Sequence, residues 1–275
     1  MKITFGMIVF NAELNLPDGM LEACIKNVYD IAHEIIIVEG ATRAVTHYFD
    51  GDTSQFTTNG HSIDRTVEII KSIPDPDKKI ILIESRGFWN GKTQMCNEWA
   101  SLATGDYIWQ LDSDEFYHIE DMKKMINYLE VEKPDAVYFN AYHFFGGTDY
   151  CIDERSAPQN SGWGSGPWYR LFRNVPGKSK WLSHERPIYE CDGKVCNDGK
   201  LIDQNKSSEI GIKMYHYSFI DYRQIEFKSK FYVNEVYKTH WESFLKDKNY
   251  KPFGSIVYKF DGDHPQIIKK LLNVF

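Results

Sequence analysis

The stretch YIWQLDSDEFYHIED at 107–121 runs from apolar, β-prone residues into three carboxylates within four positions, Asp112, Asp114 and Glu115. Asp112 and Asp114 are two residues apart, so while a strand persists they face one side, and just beyond its end they can converge on one cation. Carboxylates that close raise each other's pKa, because both stay charged cheaply only beside a counter-ion. A divalent metal resolves that conflict. All-oxygen ligation suits Mg²⁺ or Mn²⁺, which are typically held by one or two carboxylates together with substrate phosphates. The same residues also fit a plainer arrangement, in which Asp112 or Ser113 caps the helix near Ile119 or the acids are simply solvated.

Other chemistries built on two spaced aspartates fit less well. An EF-hand loop continues with a third acid and a glycine, which EFYHIE lacks. An aspartyl-phosphate phosphatase has a threonine two residues after the second aspartate, where Phe116 stands. Upstream, SRGFWNGKT at 85–93 ends in Gly-Lys-Thr and resembles a nucleotide-hydrolase phosphate loop. That loop needs four residues between its first glycine and the Gly-Lys pair, whereas Gly87 and Gly91 leave room for one fewer. A loop shortened in this way cannot wrap the same nest of amides around a phosphate.

The elements that must carry these residues are legible from hydrophobic patterning. Residues 3–10 read as a strand, 16–32 as a helix and EIIIVEG at 34–40 as a second strand; IDRTVEIIKSI at 63–73 has helical spacing, and KIILIE at 79–84 is a third strand. A helix at 93–105 ends at Gly105 and leads into DYIWQL, the fourth strand. Continuous apolar runs separated by helices are the mark of strands covered on both faces and joined by crossovers, so the first part reads as a doubly wound α/β unit. Its ligands belong at the carboxyl ends of the strands, where Asp112 and Asp114 lie. Ile119, Met122, Met125, Ile126 and Leu129 then stripe one helix, AVYFNAYHFF at 136–145 returns as a strand, residues 160–174 form a glycine-rich loop running into a strand, and IKMYHYSFI at 212–220 is another strand. Residues 222–247 read as one long aromatic-rich helix.

A net charge of −7, with Lys and Arg scattered along the chain, argues against a nucleic-acid surface and for a small-molecule partner. Five cysteines at unrelated spacings suit reduced thiols better than a disulfide framework, although Cys191 and Cys196 are close enough in sequence to pair across a hairpin. The apolar stretch at the N-terminus is interrupted too soon by Asn11 and Glu13 to be a secretory signal, and no run reaches the ~18 apolar residues of a membrane span. The expectation is a soluble, cytoplasmic protein.

The succession FGMIVFNAE, EIIIVEGAT and GKTQMCNEWASLATGDYIWQLDSDE resembles the nucleotide-sugar-binding half of family 2 glycosyltransferases with the glycosyltransferase-A fold, over roughly residues 3–116. WYRLFRNVPGKSKWLSHERP and MYHYSF are similar to later strands of bacterial glycosyltransferases that build lipopolysaccharide cores. The resemblance implies a Rossmann-like doubly wound mixed sheet. It places a catalytic domain at 1–221, split into a nucleotide-sugar half at 1–116 and an acceptor half at 117–221, and a helical C-terminal extension at 222–275. It further implies a metal-dependent transfer from a nucleotide-diphosphate sugar to a glycan or lipid-linked acceptor, with inversion.

Residue by residue, Phe10, Asn11 and Glu39 would line the nucleoside. Lys92 would face the diphosphate. Asp114 would ligate Mn²⁺ or Mg²⁺, Asp112 would contact the metal or the ribose, and His216 would be the third ligand. Inversion needs a carboxylate to take the acceptor proton, a role that falls to Glu185 in SHERP; the plainer reading pairs Glu185 with Arg186 or Arg170. His184, Trp163 and Trp168 are the acceptor-side candidates, the tryptophans as flat surfaces in a glycine-rich lid. The chain departs from the family where Met95-Cys96-Asn97 replaces Ala-Arg-Asn, leaving Lys92 or Arg86 to supply the missing charge, and where Glu39 replaces an aspartate. Base preference is therefore open. The aromatic, lysine-bearing helix after residue 222 either packs on the core or makes a peripheral membrane contact, and the FDGDHP turn at 260–265 offers His264 to the acceptor side.

Overall fold

The computed structural model describes residues 1–44, 53–153, 156, 168–184 and 187–273. In chain order its main elements begin with β1 (Ile3–Val9), α1 (Met20–Tyr29), β2 (Glu34–Glu39), α2 (Thr66–Ser72), β3 (Ile80–Ile83), α3 (Lys92–Leu102), β4 (Tyr107–Gln110), β5 (Glu115–Phe116) and α4 (Ile119–Glu132). They continue with β6 (Ala136–Phe139), β7 (Ala141–Phe145), β8 (Tyr150–Asp153), β9 (Trp168–Arg173), β10 (Leu201–Ile202), α5 (Gln204–Ile210), β11 (Met214–Phe219), α6 (Tyr222–Phe231), α7 (Val236–Lys246), β12 (Ile256–Lys259) and α8 (Gln266–Leu272).

The central sheet has the order β10-β6-β9-β4-β1-β2-β3. β3, β2, β1 and β4 run parallel, whereas β9 is antiparallel to both β4 and β6, which makes the sheet mixed. Alternate residues of the apolar strands serve two different cores. Phe5, Ile35, Ile37 and Trp109 face α1 and α4, packing with Cys24, Ile25, Val28, Met122 and Leu129. Ile36, Val38 and Ile108 face the opposite layer, with Met95, Cys96 and Trp99 of α3 and Phe172, Trp181 and Tyr189 beyond. That division is why these strands read as unbroken apolar runs. Gly6 allows the second layer to close: a Cβ there would stand 2.6 Å from the Trp99 ring.

A second sheet has the order β12-β8-β7-β11-β5, and its strands β5 and β7 follow directly on β4 and β6 of the first. The expected single strand at 136–145 divides at Asn140, so that β6 belongs to the first sheet and β7 to the second. The Asn140 amide donates to Gln204 O and Ser208 Oγ at 3.2 and 2.7 Å, fixing the switch point. The long helix expected at 222–247 is likewise two helices, α6 and α7. They are separated around Val233, whose φ of 48° is unfavourable for a β-branched residue and incompatible with a continuous helix. The C-terminal segment is not only helical, because β12 pairs with β8 as the edge of the second sheet. The helix expected at 16–32 spans Met20–Tyr29, after Pro17 and a left-handed Gly19, and a single helical turn at Ala12–Asn15 precedes it. All five cysteines are buried and free.

Candidate active site

Strand β4 ends at Gln110, and the following LDSDE segment turns at once, with Glu115 N donating to Asp112 O at 3.0 Å. Two-residue β5 then pairs antiparallel with β11, Glu115 opposite His216, and Tyr217 N donates to Asp114 O at 2.9 Å. This pairing brings the Asp114 carboxylate to the His216 ring, with Oδ1 and Nε2 3.5 Å apart. Burial pushes the Asp114 carboxyl upward, but His216, helped by Lys228 and a Ser218 hydrogen bond, outweighs it and holds the group well below the usual carboxylate range. His216 responds reciprocally: burial lowers its pKa, Asp114 raises it, and the net direction is up.

The other two acids belong to a buried arginine. Arg170, on β9, donates through Nε to both Glu115 carboxylate oxygens at 3.0 and 2.9 Å, while its Nη2 reaches Glu115 Oε1 and Asp112 Oδ2, the latter at 3.0 Å. Glu115 is fully buried, and desolvation pushes its carboxyl up to about 7 against the pull of Arg170. Asp112 is one-third exposed. Arg170 also lies over the Trp168 ring, 4.8 Å from its centroid. From sequence, Glu115 has no ligand role and Arg170 enters only as one of two partners in the plainer reading of Glu185; the structure makes Glu115 and Arg170 the anchor of the acidic turn. A cation inside the apolar-flanked RLF strand was the available signal, since a buried guanidinium requires a carboxylate partner.

Among the described residues no three His, Cys, Asp or Glu side chains gather into a group able to hold an ion. The expected trio is thus divided: Asp114 and His216 face each other, and Asp112 turns to Arg170. One carboxylate and one imidazole still form an incomplete donor set of the kind that takes its remaining ligands from phosphate and water.

Around this centre, Trp168 stands with its ring 5.0 Å from His143 and 5.7 Å from His216. His184 is positioned through α3. Asn97 exchanges two hydrogen bonds with the Trp181 backbone, at 3.0 and 2.8 Å, and His184 N then donates to Thr93 Oγ1 at 3.1 Å, leaving its Nε2 3.5 Å from Gln110 Nε2 at the end of β4. Lys92 opens α3, and Lys228, half-buried on α6, lies close enough to feel Asp114, Lys92 and Asp112. Glu185 and Trp163 lie outside the described residues.

The residues expected on the nucleoside side are each held by neighbours in the fold. Glu39 is fully buried: its carboxylate accepts from Ser62 N at 2.6 Å and sits 3.5 Å from His61 Nδ1, tying the small hairpin of Thr57–Thr58 and His61–Ser62 to the end of β2. Asn11, at φ 48°, donates to Phe56 O at 2.6 Å and accepts from Ile63 N at 2.9 Å. Both side chains are thereby tied to the segment at 56–63. Phe10 joins an aromatic group with Phe56 and Phe231, its ring 6.1 Å from that of Phe231. His264 is buried too, its Nδ1 2.8 Å from the Tyr217 hydroxyl and its ring against Phe144, so the FDGDHP turn packs the core instead of reaching an acceptor.

Parts of the chain are similar to known proteins. The model of the family "Glycosyl transferase family 2" matches residues 56–185, a segment containing the acidic turn, Trp168, Arg170 and His184 but not β1 or β2. An uncharacterized glycosyltransferase of Haemophilus influenzae is 30% identical over 127 residues, which is 46% of this chain and 42% of that protein. The chain thus matches less than half the length of that curated relative. Among solved structures, the mannosyltransferase PcManGT from Pyrobaculum calidifontis, in complex with GDP-Man and Mn²⁺, is similar at 13% identity and a TM-score of 0.45, over 99% of this chain and 68% of that one. S. aureus TarS 1-349 is similar at 13% identity and a TM-score of 0.41, over 63% and 47% of the two chains. The segment at 56–185, which carries the acidic turn on a mixed α/β sheet, is thus similar to glycosyltransferase family 2.

Proposed function

We propose that this protein transfers a sugar from a nucleotide-diphosphate donor to a hydroxyl of a glycan or lipid-linked acceptor, with inversion. The observation that carries the reading is the meeting of Asp114 and His216 at the carboxyl end of a parallel strand, with Asp114 in a segment similar to glycosyltransferase family 2. A divalent Mn²⁺ or Mg²⁺ held by Asp114 and His216 would supply Lewis-acid neutralisation of the leaving diphosphate.

The chain's own residues do the rest. Arg170 neutralises Glu115 and orients Asp112, so that the one-third-exposed Asp112 carboxylate can face the donor's ribose or the metal. Lys92, at the N-terminus of α3, and Lys228 add positive charge where the diphosphate leaves. Phe10 offers an apolar wall to the base, backed by the loop that Glu39 and Asn11 hold in place. On the acceptor side Trp168 presents a ring to stack on a sugar, with His184 and Trp163 as further contacts, and Glu185 takes the acceptor proton as general base. Five buried free thiols accord with a reducing, cytoplasmic location.

A thermal-shift screen of UDP-, GDP- and dTDP-sugars with and without Mn²⁺ tests the reading. At a concentration 100 times Kd, a donor that binds only the native state adds about 2.7 kcal/mol of stability. Failure of every nucleotide sugar to stabilise the protein in the presence of metal defeats it.

A further inference from the structure

Parallel strands β7 and β11 place His143 directly beside His216. The two Nδ1 atoms are 2.7 Å apart, and the rings meet nearly at right angles, 80° between planes. A contact that short between two imidazole nitrogens requires one proton between them, donated by one ring and accepted by the other. The opposite nitrogen of His216, Nε2, points at Asp114. His143 is buried, 2% exposed, and the Trp168 ring packs against it, so its orientation is fixed from two sides.

We propose that His143 is a positioning residue for the cation site: it accepts the Nδ1 proton of His216 and so presents the Nε2 lone pair of His216 beside Asp114. This rests on the reading of Asp114 and His216 as the ion's protein ligands. An imidazole binds a cation through a nitrogen that carries no proton, and its other nitrogen must then hold one. With an ion in place of the Nε2 proton and the shared proton on His216 Nδ1, His143 would keep its own proton on Nε2, and both rings would be neutral. Ligating histidines ordinarily give this second proton to a carboxylate, a backbone carbonyl or water; here a second imidazole from the neighbouring strand accepts it. On the His216 side, the polar groups facing the pair include the Asp114 carboxylate and the Arg170-neutralised Glu115, which stands opposite His216 in register.

The experiment titrates the full-length protein with Mn²⁺ alone and counts free ion by electron paramagnetic resonance, without reference to turnover. His143→Phe preserves the ring volume and removes the acceptor, and is expected to weaken Mn²⁺ binding about 10- to 100-fold. His143→Asn places an amide oxygen near the former Nδ1 position and should restore affinity to within about 3-fold of the original, whereas His143→Gln, whose amide reaches the Nε2 position, should not. Thermal melts identify any variant that fails to fold, and the Asn/Gln comparison keeps the test decisive if the Phe variant is lost. If the unsubstituted protein binds Mn²⁺, Asp114→Ala abolishes it, and folded His143→Phe or His143→Gln binds as tightly as the original, the positioning role is overturned while the metal reading stands. Absence of any Asp114-dependent Mn²⁺ binding in the unsubstituted protein defeats the metal reading first and the inference with it.

Discussion

Arg170→Met tests the structure where its electrostatics are most demanding. The substitution keeps a long apolar side chain but leaves Glu115, fully buried, without its counter-ion, and removes the partner of Asp112. Removing one member of a buried ion pair costs about 3–5 kcal/mol, most of it the penalty of the charge left behind. At about 2–4 °C per kcal/mol for a chain of this order of size, the melting temperature should fall by about 6–20 °C at pH 8.5. The folded Glu115 carboxyl sits at about 7, above its ordinary value of 4.5, so the folded state holds the extra proton between those limits. This group therefore favours folding less as pH rises through that window, and more as pH falls. Without Arg170 the folded value moves higher still, so the deficit of the variant should be largest at pH 8.5 and shrink by pH 5.5, where Glu115 is protonated. Adding Glu115→Gln should recover part of the loss at pH 8.5 and little at pH 5.5. Urea melts of the four proteins at both pH values supply the double-mutant cycle. A single variant within about 1 kcal/mol of the original at pH 8.5, or losses that simply add in the double variant, would refute a buried charge held by Arg170.

Three further outcomes are expected. Asp114→Asn should remove the Mn²⁺-dependent thermal shift and lower transfer about 100-fold or more, the size of a lost Lewis-acid contribution of several kcal/mol; a metal response equal to that of the original protein would return the acids to a structural role. Glu185→Gln should keep donor binding by calorimetry while kcat falls by about 10²–10⁴, as for loss of a general base, and transfer at the original rate would remove Glu185 from the mechanism. Gly6→Ala, whose new methyl would meet the Trp99 ring at 2.6 Å, should destabilise the fold by about 1–3 kcal/mol in denaturant melts, and a neutral result would mean that α3 can lift off the sheet at little cost.

Much of the architecture was written locally. IIIV in β2 and YIW in β4 are unbroken apolar runs because successive residues face different layers, and that pattern survives without knowledge of any partner. The place of Asp112 and Asp114 at a strand's carboxyl end follows from the same reading, as does the α/β class. Departures came where a local signal was cut by a single residue. Asn140 divides AVYFNAYHFF between two sheets, and the turn at Val233 divides one amphipathic helix into two, so apolar periodicity alone runs straight through both breaks.

The contacts inside the site come from pairings between distant segments. Glu39 and Asn11 look like ligand residues at strand ends, yet the 56–63 segment folds over them and takes up their polar atoms. Glu115 looked incidental until β9 delivered Arg170 to it, and His143 was one more residue of an aromatic strand until β11 came alongside. Composition and spacing determine which elements form and which end of the sheet carries negative charge, because those depend on burial along a continuous stretch of chain. Which carboxylate is neutralised by arginine and which is left facing an imidazole depends on side chains brought together from the turn after β4 and from β5, β7, β9 and β11. That choice belongs to the tertiary structure, since an ion pair or a shared proton exists only once both partners are within about 3 Å.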